Sequence, residues 1–116
     1  MFSKKVIYIS GPITGVEHYQ ATFEAAEAAI IEKGHIPLTP AVHPKGLTNG
    51  QYMRMCFAQM DCADAVLFLP NWKESCGARL ERLYCNYIGK PCLDSIDQLA
   101  ADNSAKEVAE WPYKSQ

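Results

Sequence analysis

Two short, wholly apolar runs, each closed by residues that break a strand, constrain this fold more than any other feature. Val6-Ile7-Tyr8-Ile9 stops at Ser10-Gly11-Pro12, and Ala65-Val66-Leu67-Phe68-Leu69 stops at Pro70-Asn71. A strand with one wet face alternates apolar and polar residues, and these runs do not alternate. They are therefore predicted to be parallel strands that are buried on both faces.

Helical patterns separate and follow the two runs. Gly34 and Gly89 each end a stretch of helical spacing, because glycine readily adopts the conformation that terminates a helix. The predicted elements are a helix over 19–33, an edge strand over 35–38 with Pro37, a loop over 39–50, helices over 51–62 and 75–88, a short strand from 91 and a helix near 97–110. This order predicts an α/β fold, a doubly wound, mostly parallel sheet of four to five strands with helices on both faces, flavodoxin- or Rossmann-like. We expect one domain over residues 1–116.

Composition excludes several classes of function. The net charge is −2, so there is no basic field to hold polymeric DNA or RNA, and a small-molecule ligand is expected instead. The apolar runs are too short for a signal peptide or a membrane span, which predicts a cytoplasmic protein with no membrane partner. The five cysteines form no C-x-x-C pair, and His18, His35 and His43 are scattered. We therefore expect reduced thiols, no metal and no cofactor.

The ligand site is expected beside the two buried strands. In doubly wound sheets, ligands bind beyond the carboxyl ends of the strands, where the strand order reverses. The turns that follow the buried strands, residues 10–15 and 71–77, are rich in glycine and serine. The sequence therefore predicts that these two turns meet at one site.

Glu81 lies on the apolar side of the predicted third helix. A helical wheel places five uncharged residues within about 60° of it, namely Gly77, Ala78, Tyr84, Cys85 and Ile88, whereas Arg79, Arg82 and Asn86 share a solvated side. A carboxylate on an apolar face must be partnered, protonated or exposed in a cleft. Either Glu81 reaches the rim or a basic neighbour, or it belongs to a functional site. A carboxylate held beside a sugar can attack the anomeric carbon and form a covalent glycosyl-enzyme.

Ser75 stands six residues before this glutamate, at the predicted start of the helix. Free backbone N–H groups and the positive end of the helix dipole favour an anion or a hydroxyl-rich ligand there. A serine at this position is also an ordinary helix cap. Both interpretations of Ser75 remain open at this point.

The assembled motifs resemble the nucleoside 2-deoxyribosyltransferase-like superfamily over about residues 5–93. The motifs are Tyr8-Ile9-Ser10-Gly11-Pro12-Ile13-Thr14-Gly15, Tyr52-Met53-Arg54, Cys62-Ala63-Asp64-Ala65-Val66, Trp72, Ser75, Gly77-Ala78, Glu81 and Gly89-Lys90-Pro91. The chain is most similar to small phage and bacterial members of unknown function and to deoxynucleoside 5′-monophosphate N-glycosidases. The resemblance implies cleavage of the N-glycosidic bond of deoxynucleosides or their 5′-monophosphates, by an N-glycosidase or a deoxyribosyltransferase.

The resemblance also implies roles for individual residues. Glu81 matches the nucleophile and Tyr8 a tyrosine that positions it, while Ser75 and Gly77 match positions that hold the sugar or 5′-phosphate. The loop that cradles the sugar and phosphate end of the ligand matches Ser10, Gly11, Ile13, Thr14 and Gly15. Trp72 is placed at the mouth, where it stacks on the base or instead anchors its loop on the core.

One position departs from the family pattern. Two residues after the arginine that matches Arg54, the family carries an aspartate that handles the leaving base, and this chain has Cys56. Asp61 projects elsewhere and is no substitute, and Asp64 is expected to serve a turn. A thiol cannot act as a carboxylate. A nucleotide-binding module with weak or no turnover, a sensor or sequestering protein, is therefore the alternative function.

Two further expectations concern thiol chemistry and the oligomeric state. Thiol chemistry through Cys76 or Cys85 is a weaker third hypothesis, because no histidine is locally placed to support it. The resemblance implies a homodimer or higher homo-oligomer in which a neighbouring subunit completes the site. Asn103 and Ser104 are candidates for that contribution by location alone.

Overall fold

The computed structural model describes residues 4–101. Four strands alternate with three helices along this part of the chain, and three short 3-10 turns connect them. The order is β1 (Val6–Ser10), α1 (Tyr19–Glu32), β2 (Ile36–Leu38), a 3-10 turn at Pro40–Val42, α2 (Asn49–Cys62), β3 (Ala65–Phe68), a 3-10 turn at Trp72–Glu74, α3 (Cys76–Ile88), β4 (Cys92–Leu93) and a 3-10 turn at Ile96–Gln98. The predicted α/β class is confirmed.

All four strands are parallel, in the order β2-β1-β3-β4. The chain runs outward from β1 to β2, then crosses back to β3 on the other side of β1 and continues to β4. The strand order therefore reverses between β1 and β3, which pair through Tyr8 with Val66 and Ser10 with Phe68. The predicted edge position of Pro37 is confirmed, because β2 pairs only with β1 among the described residues.

The core consists of two apolar layers, one on each face of the sheet. Alternation along β1 sends Ile7 and Ile9 to one face, where they pack with Phe23 and Ile30 of α1. Tyr8 points to the other face, where the residues of α2 and α3 that pack with it include Cys56, Met60 and Cys85. One strand thus supplies both layers, and its second face belongs to the helices α2 and α3.

The ends of the helices follow local capping chemistry. α2 begins at Asn49, two residues before the predicted start, because Thr48 and Gln51 form a reciprocal capping box. Gly89 ends α3 in the left-handed conformation at φ 77°, as the sequence predicts. Within residues 4–101, no helix is long and apolar enough to cross a membrane.

The predicted C-terminal helix is wrong over the part that the structure describes. Residues 96–98 form a single 3-10 turn capped by Ser95, and residues 99–101 are not helical. His35 accepts a hydrogen bond from the Lys5 backbone N–H at 3.0 Å, and its other ring nitrogen lies 2.6 Å from the Ala100 carbonyl oxygen. His35 thus links the segment at Ala100 to the residue before β1, and the segment lies against the sheet in a non-helical conformation. The rest of the predicted helix, together with Asn103 and Ser104, lies outside the described residues.

Gly11 gives the first testable prediction, because the turn after β1 approaches Leu69 very closely. A Cβ atom on Gly11 would lie 2.7 Å from Cδ1 and 3.0 Å from Cβ of buried Leu69. We expect Gly11→Ala to lower the free energy of unfolding by about 1–3 kcal/mol through overpacking, measured by urea denaturation. Gly50→Ala is the matched control, because its Cβ would meet only the Thr48 hydroxyl oxygen at 3.9 Å. Equal urea midpoints for Gly11→Ala and the parent chain would contradict this account of the turn.

Candidate functional site

Glu81 lies at the centre of the site, on the buried face of α3. Only 5% of the residue is exposed, and its two carboxylate oxygens accept hydrogen bonds from two different residues of β1. The Ser10 hydroxyl donates to Oε1 at 2.5 Å, and the Tyr8 hydroxyl donates to Oε2 at 3.1 Å. The prediction that Glu81 lies on the apolar side of its helix is confirmed, and hydroxyl groups, not a basic neighbour, satisfy it.

The alternation of β1 explains why two hydroxyl groups reach the same carboxylate. Residues two apart on a strand project from the same face, so Tyr8 and Ser10 both point toward α2 and α3. Each has none of its surface exposed to solvent. The apolar residues between and before them point the other way, toward α1. A polar pair is thereby placed inside the second core layer, directly under Glu81.

Burial sets the proton affinity of this cluster. Loss of solvent raises the pKa of the Glu81 carboxyl above its ordinary value, although hydrogen bonds from Ser10, Tyr8 and Cys56 oppose the shift. Burial, and then the negative charge of Glu81, raise the pKa of the Tyr8 hydroxyl well above its ordinary value. Tyr8 therefore keeps its proton and acts as a hydrogen-bond donor to the carboxylate.

Cys56 of α2 is the third neighbour of the carboxylate. It is 7% exposed, and it lies close enough to Tyr8 and Glu81 to affect the proton affinity of both. Burial raises the pKa of its thiol to about 11, so the thiol is neutral near pH ~7. The position at which the resemblance implies an aspartate thus holds an uncharged group in contact with the predicted nucleophile.

The two aspartates that follow Cys56 most closely in the sequence have separate structural roles. The Asp61 carboxylate accepts a hydrogen bond from the Tyr84 hydroxyl at 2.7 Å and does not line the cavity above Glu81. The Asp64 carboxylate accepts a hydrogen bond from the Val6 backbone N–H at 2.8 Å. Asp64 therefore connects the residue before β3 to the start of β1 instead of serving a turn, and neither aspartate lines the cavity.

A cavity of about 630 Å³ opens above Glu81. It lies at the carboxyl ends of β1 and β3, where the strand order reverses. The predicted site residues that line it are Tyr8, Gly11, Ile13, Thr14, Ser75, Gly77 and Glu81. The two turns that the sequence singles out therefore meet at one cavity. Ser75 also caps α3, since its hydroxyl oxygen accepts a hydrogen bond from the Ala78 backbone N–H at 3.1 Å.

Three of the predicted site residues do not line this cavity. Ser10 is completely buried beneath it and reaches it only through Glu81. Gly15 has a positive φ of 76°, and a Cβ placed on it would meet no atom within 4 Å, so it lies at an open turn. Trp72 packs its ring on Phe68, 5.3 Å between centroids, with the Arg82 guanidinium 5.0 Å from its ring centre. The Trp72 ring therefore packs against Phe68 and Arg82, outside the lining of the main cavity.

Arg82 also departs from the sequence prediction of a solvated face. Its guanidinium lies over the rings of Phe68 and Trp72 and forms a 2.7 Å ion pair with Asp94. The ion pair raises the pKa of Arg82 and lowers that of Asp94. Arg82, Asp94 and Trp72 line a second cavity, of about 370 Å³. Stacking on aromatic rings is a common role for arginine and explains why this helix position is only half-exposed.

Sequence analysis missed a third wall of the main cavity. It comes from the loop after β2 and the start of α2, which contribute His43, Lys45, Tyr52 and Met53. The Tyr52 hydroxyl donates to the Pro44 carbonyl oxygen at 2.7 Å and ties this loop to the helix. Since β2 is parallel to β1 and adjacent to it, its carboxyl end opens at the same edge of the sheet. The strand order is the signal that would have identified these residues, because it places the loop after β2 next to the turn after β1.

Thiol and metal chemistry have little support in the described residues. Burial and the neighbouring Cys92 raise the pKa of the Cys85 thiol to about 12, which leaves it protonated and unreactive. Cys76 is exposed and accepts a hydrogen bond from the Arg79 guanidinium. Between residues 4 and 101, no cluster of three or more histidine, cysteine or acidic side chains is arranged to hold a metal ion.

Comparisons with known proteins identify one matching family model and solved structures that share this fold. A family model described as a domain of unknown function, DUF4406, matches residues 5–94. No curated protein matches the chain in sequence. The fold is shared with a 2-desoxiribosyltransferase from Leishmania mexicana, at a TM-score of 0.62 and 22% identity, over 77% of this chain and 62% of that one. A 2-deoxyribosyltransferase from Bacillus psychrosaccharolyticus matches at a TM-score of 0.59 and 18% identity, over 75% of this chain and 69% of that one.

This chain thus spans less than two thirds of the length of the Leishmania protein. At these identities the likeness concerns the fold. The fold shared with these two proteins is the fold that the resemblance stated in the sequence analysis implies.

The raised pKa of Glu81 predicts a pH-dependent effect of Glu81→Gln on stability. A carboxyl group whose pKa is raised by folding stabilises the folded chain in its protonated form, and this contribution is lost as the pH rises through the folded-state pKa. Glutamine is neutral at every pH. The melting temperature of Glu81→Gln relative to the parent should therefore be higher at about pH 8 than at about pH 5. Glu24→Gln, on the exposed side of α1, is the control, and a difference for Glu81→Gln that is independent of pH would contradict the assignment.

Proposed function

The chain belongs to the DUF4406 family, and we propose that it cleaves the N-glycosidic bond of deoxynucleosides or their 5′-monophosphates, as an N-glycosidase or a deoxyribosyltransferase. The observation that carries the proposal is the Glu81 carboxylate, held by two hydroxyl groups beneath an open cavity. Two proteins of the same fold are named 2-deoxyribosyltransferases, which supports the same class of reaction.

Glu81 acts as the nucleophile in this proposal. Its carboxylate attacks the anomeric carbon of the sugar, the bond to the base breaks, and a covalent glycosyl-enzyme forms. Water, or a second base, then releases the sugar. The hydroxyl groups of Tyr8 and Ser10 fix the orientation of the carboxylate, and the apolar surroundings leave it less stabilised than in water.

The turns at the two strand ends bind the sugar and any 5′-phosphate. Gly11, Ile13 and Thr14 form one side of the cavity, and Ser75 with Gly77 at the start of α3 forms the other. The free N–H groups at the helix start favour a hydroxyl group or a phosphate. Lys45, from the loop after β2, adds a cationic side chain to the same cavity. This positive charge favours binding of a 5′-monophosphate. It supplies the cationic group that the 10–15 turn, which contains no arginine, does not provide.

Cys56 favours a second candidate function, a nucleotide-binding module with little or no turnover. The neutral thiol beside Glu81 cannot serve as the carboxylate that the family resemblance implies at this position. A cavity that binds a nucleotide without activating its base would act as a sensor or would sequester the nucleotide. The two candidates differ in whether free base is released.

A homodimer or higher homo-oligomer is part of the proposal. Leu80, Leu83 and Tyr87 form an apolar stripe along the outer side of α3, and they are 52%, 65% and 89% exposed. Exposed apolar patches of this kind mark interaction surfaces. Leu80 also lines the main cavity, so a second copy seated on the stripe would reach the mouth of the site.

Release of free base tests the main proposal. We expect the parent chain to release base from at least one member of a panel of deoxynucleosides and their 5′-monophosphates, detected by chromatography. Glu81→Gln should lower this release by about 100-fold or more, because it removes the nucleophile, and should still be stabilised thermally by the ligand. Glu24→Gln, on exposed α1, should behave as the parent chain. Thermal stabilisation without release of base in the parent chain would favour the binding module. If the parent chain shows no release and no thermal stabilisation, both candidate functions are excluded.

The oligomeric state of the chain, measured by analytical ultracentrifugation, tests the proposed interface on α3. Leu83→Glu places a charge in the centre of the exposed stripe and should shift the chain from dimer or higher oligomer to monomer. Ile31→Glu is the control, since Ile31 is 60% exposed on α1, away from the stripe. A parent chain that sediments as a monomer, or equal effects of both substitutions, would contradict an interface on α3.

A further inference from the structure

The proposed reaction leaves a proton unaccounted for, and the further inference rests on that proposed function. A neutral nucleobase departs readily only when it gains a proton as its bond to the sugar breaks. The groups next to Glu81 are poorly suited to supply one. The Tyr8 hydroxyl already donates to Glu81, and burial raises the pKa of both Tyr8 and Cys56. The donor must therefore come from another wall of the cavity.

His43 stands on the wall of the cavity that the loop after β2 forms. It follows the 3-10 turn after β2, is half-buried and lines the same cavity as Glu81. Its backbone N–H donates to the Pro40 carbonyl oxygen at 3.1 Å, and the next residue, Pro44, accepts the Tyr52 hydroxyl. Hydrogen bonds on both sides thus fix the backbone that carries the imidazole.

The His43 ring has an unused polar atom. Its Nδ1 is buried and has no hydrogen-bond partner among the described residues. A buried polar atom without a partner is uncommon and costs free energy, which argues for a role beyond packing. Nearby, the Gln59 side-chain amide donates to the Thr39 carbonyl oxygen at 3.2 Å, and its own Oε1 is likewise buried and without a partner. His43 therefore has one ring nitrogen without a partner, and Gln59 of α2 has one amide oxygen without a partner, among the described residues.

The other ionisable groups on the rim are less suitable donors. Glu74 and Lys45 are both exposed to solvent, so water competes with a bound base for contact with either side chain. Imidazole is the side chain that most often transfers protons near neutral pH.

We propose that His43 is the general acid for the leaving base, in the role that the position of Cys56 cannot fill. A Glu81 oxygen forms a bond to the anomeric carbon while the carbon–nitrogen bond breaks, and its electron pair goes to the base. The His43 imidazolium gives its proton to the base, which departs neutral, and neutral imidazole remains. Water then attacks the anomeric carbon, the ester bond electrons return to Glu81, and His43 takes the proton of the water. Both residues are regenerated, with free base and sugar as the products.

The test compares a base that needs a proton with one that does not. 2′-Deoxyguanosine is neutral, whereas its N7-methylated form carries a positively charged base that leaves as a neutral molecule without a proton. His43→Ala should slow base release from the neutral nucleoside by about 100-fold or more and change release from the N7-methylated one by less than about threefold. The cationic substrate is also an internal control for folding. His18→Asn, at an exposed position outside the cavity with φ 61°, should leave both rates unchanged.

Each outcome separates this inference from the proposed function. Selective loss with the neutral nucleoside supports His43 as the acid. Equal loss with both nucleosides, or no loss with either, overturns the role of His43 while leaving Glu81-dependent cleavage in place. If the parent chain releases base from neither nucleoside, in the presence or absence of a 5′-phosphate, the role of His43 in guanine release is overturned, whereas the proposed function fails only if no member of the panel releases base.

Discussion

The structure depends on one buried carboxylate and on the strand that satisfies it. An unpartnered charge in a protein core is strongly destabilising, so Glu81 can face the core only where donors are already fixed. β1 supplies them at alternate positions, through Tyr8 and Ser10. This arrangement needs β1 in the interior of the sheet and α3 packed over its second face. The order β2-β1-β3-β4 provides both, because the crossover to β3 brings α2 and α3 to the same side.

The same crossover creates the cavity. At the reversal of strand order, the loops after β1 and β3 diverge, and the helix that follows β3 returns beneath the gap. Glu81 is the charged residue of α3 that meets both the core and the gap. The site is therefore a property of the topology. Its walls come from the three loops at the carboxyl ends of β1, β2 and β3.

The replacement of an expected carboxylate by Cys56 changes the electrostatics of the site. Two carboxylates in contact would raise the pKa of one another through like-charge repulsion. Here the neighbour is a neutral thiol, and burial is the principal cause of the raised pKa of Glu81. The cavity consequently has the Glu81 carboxylate at its floor beside the hydroxyl of Tyr8 and the thiol of Cys56, and its other lining residues include His43, Lys45 and Glu74. In the proposed mechanism, the nucleophile and the proton donor therefore lie on different walls of the cavity.

The sequence by itself determined the layers of this fold. Two runs without polar alternation require strands buried on both faces, and the glycines at 34 and 89 end the helices that cover them. The sequence also singled out Glu81, because a charged residue on an apolar helix face conflicts with the local pattern whatever lies opposite. The tertiary structure alone decided what lies opposite. Ser10 and Trp72 look alike as loop residues near a site, yet one is buried under the carboxylate and the other anchors its loop on Phe68 and Arg82. His43 lines the cavity because β2 lies next to β1, which brings the loop after β2 to the site. Hydrophobic pattern specifies which face of an element is buried, whereas the partners across that face follow from strand order, and strand order is set by contacts distant in sequence.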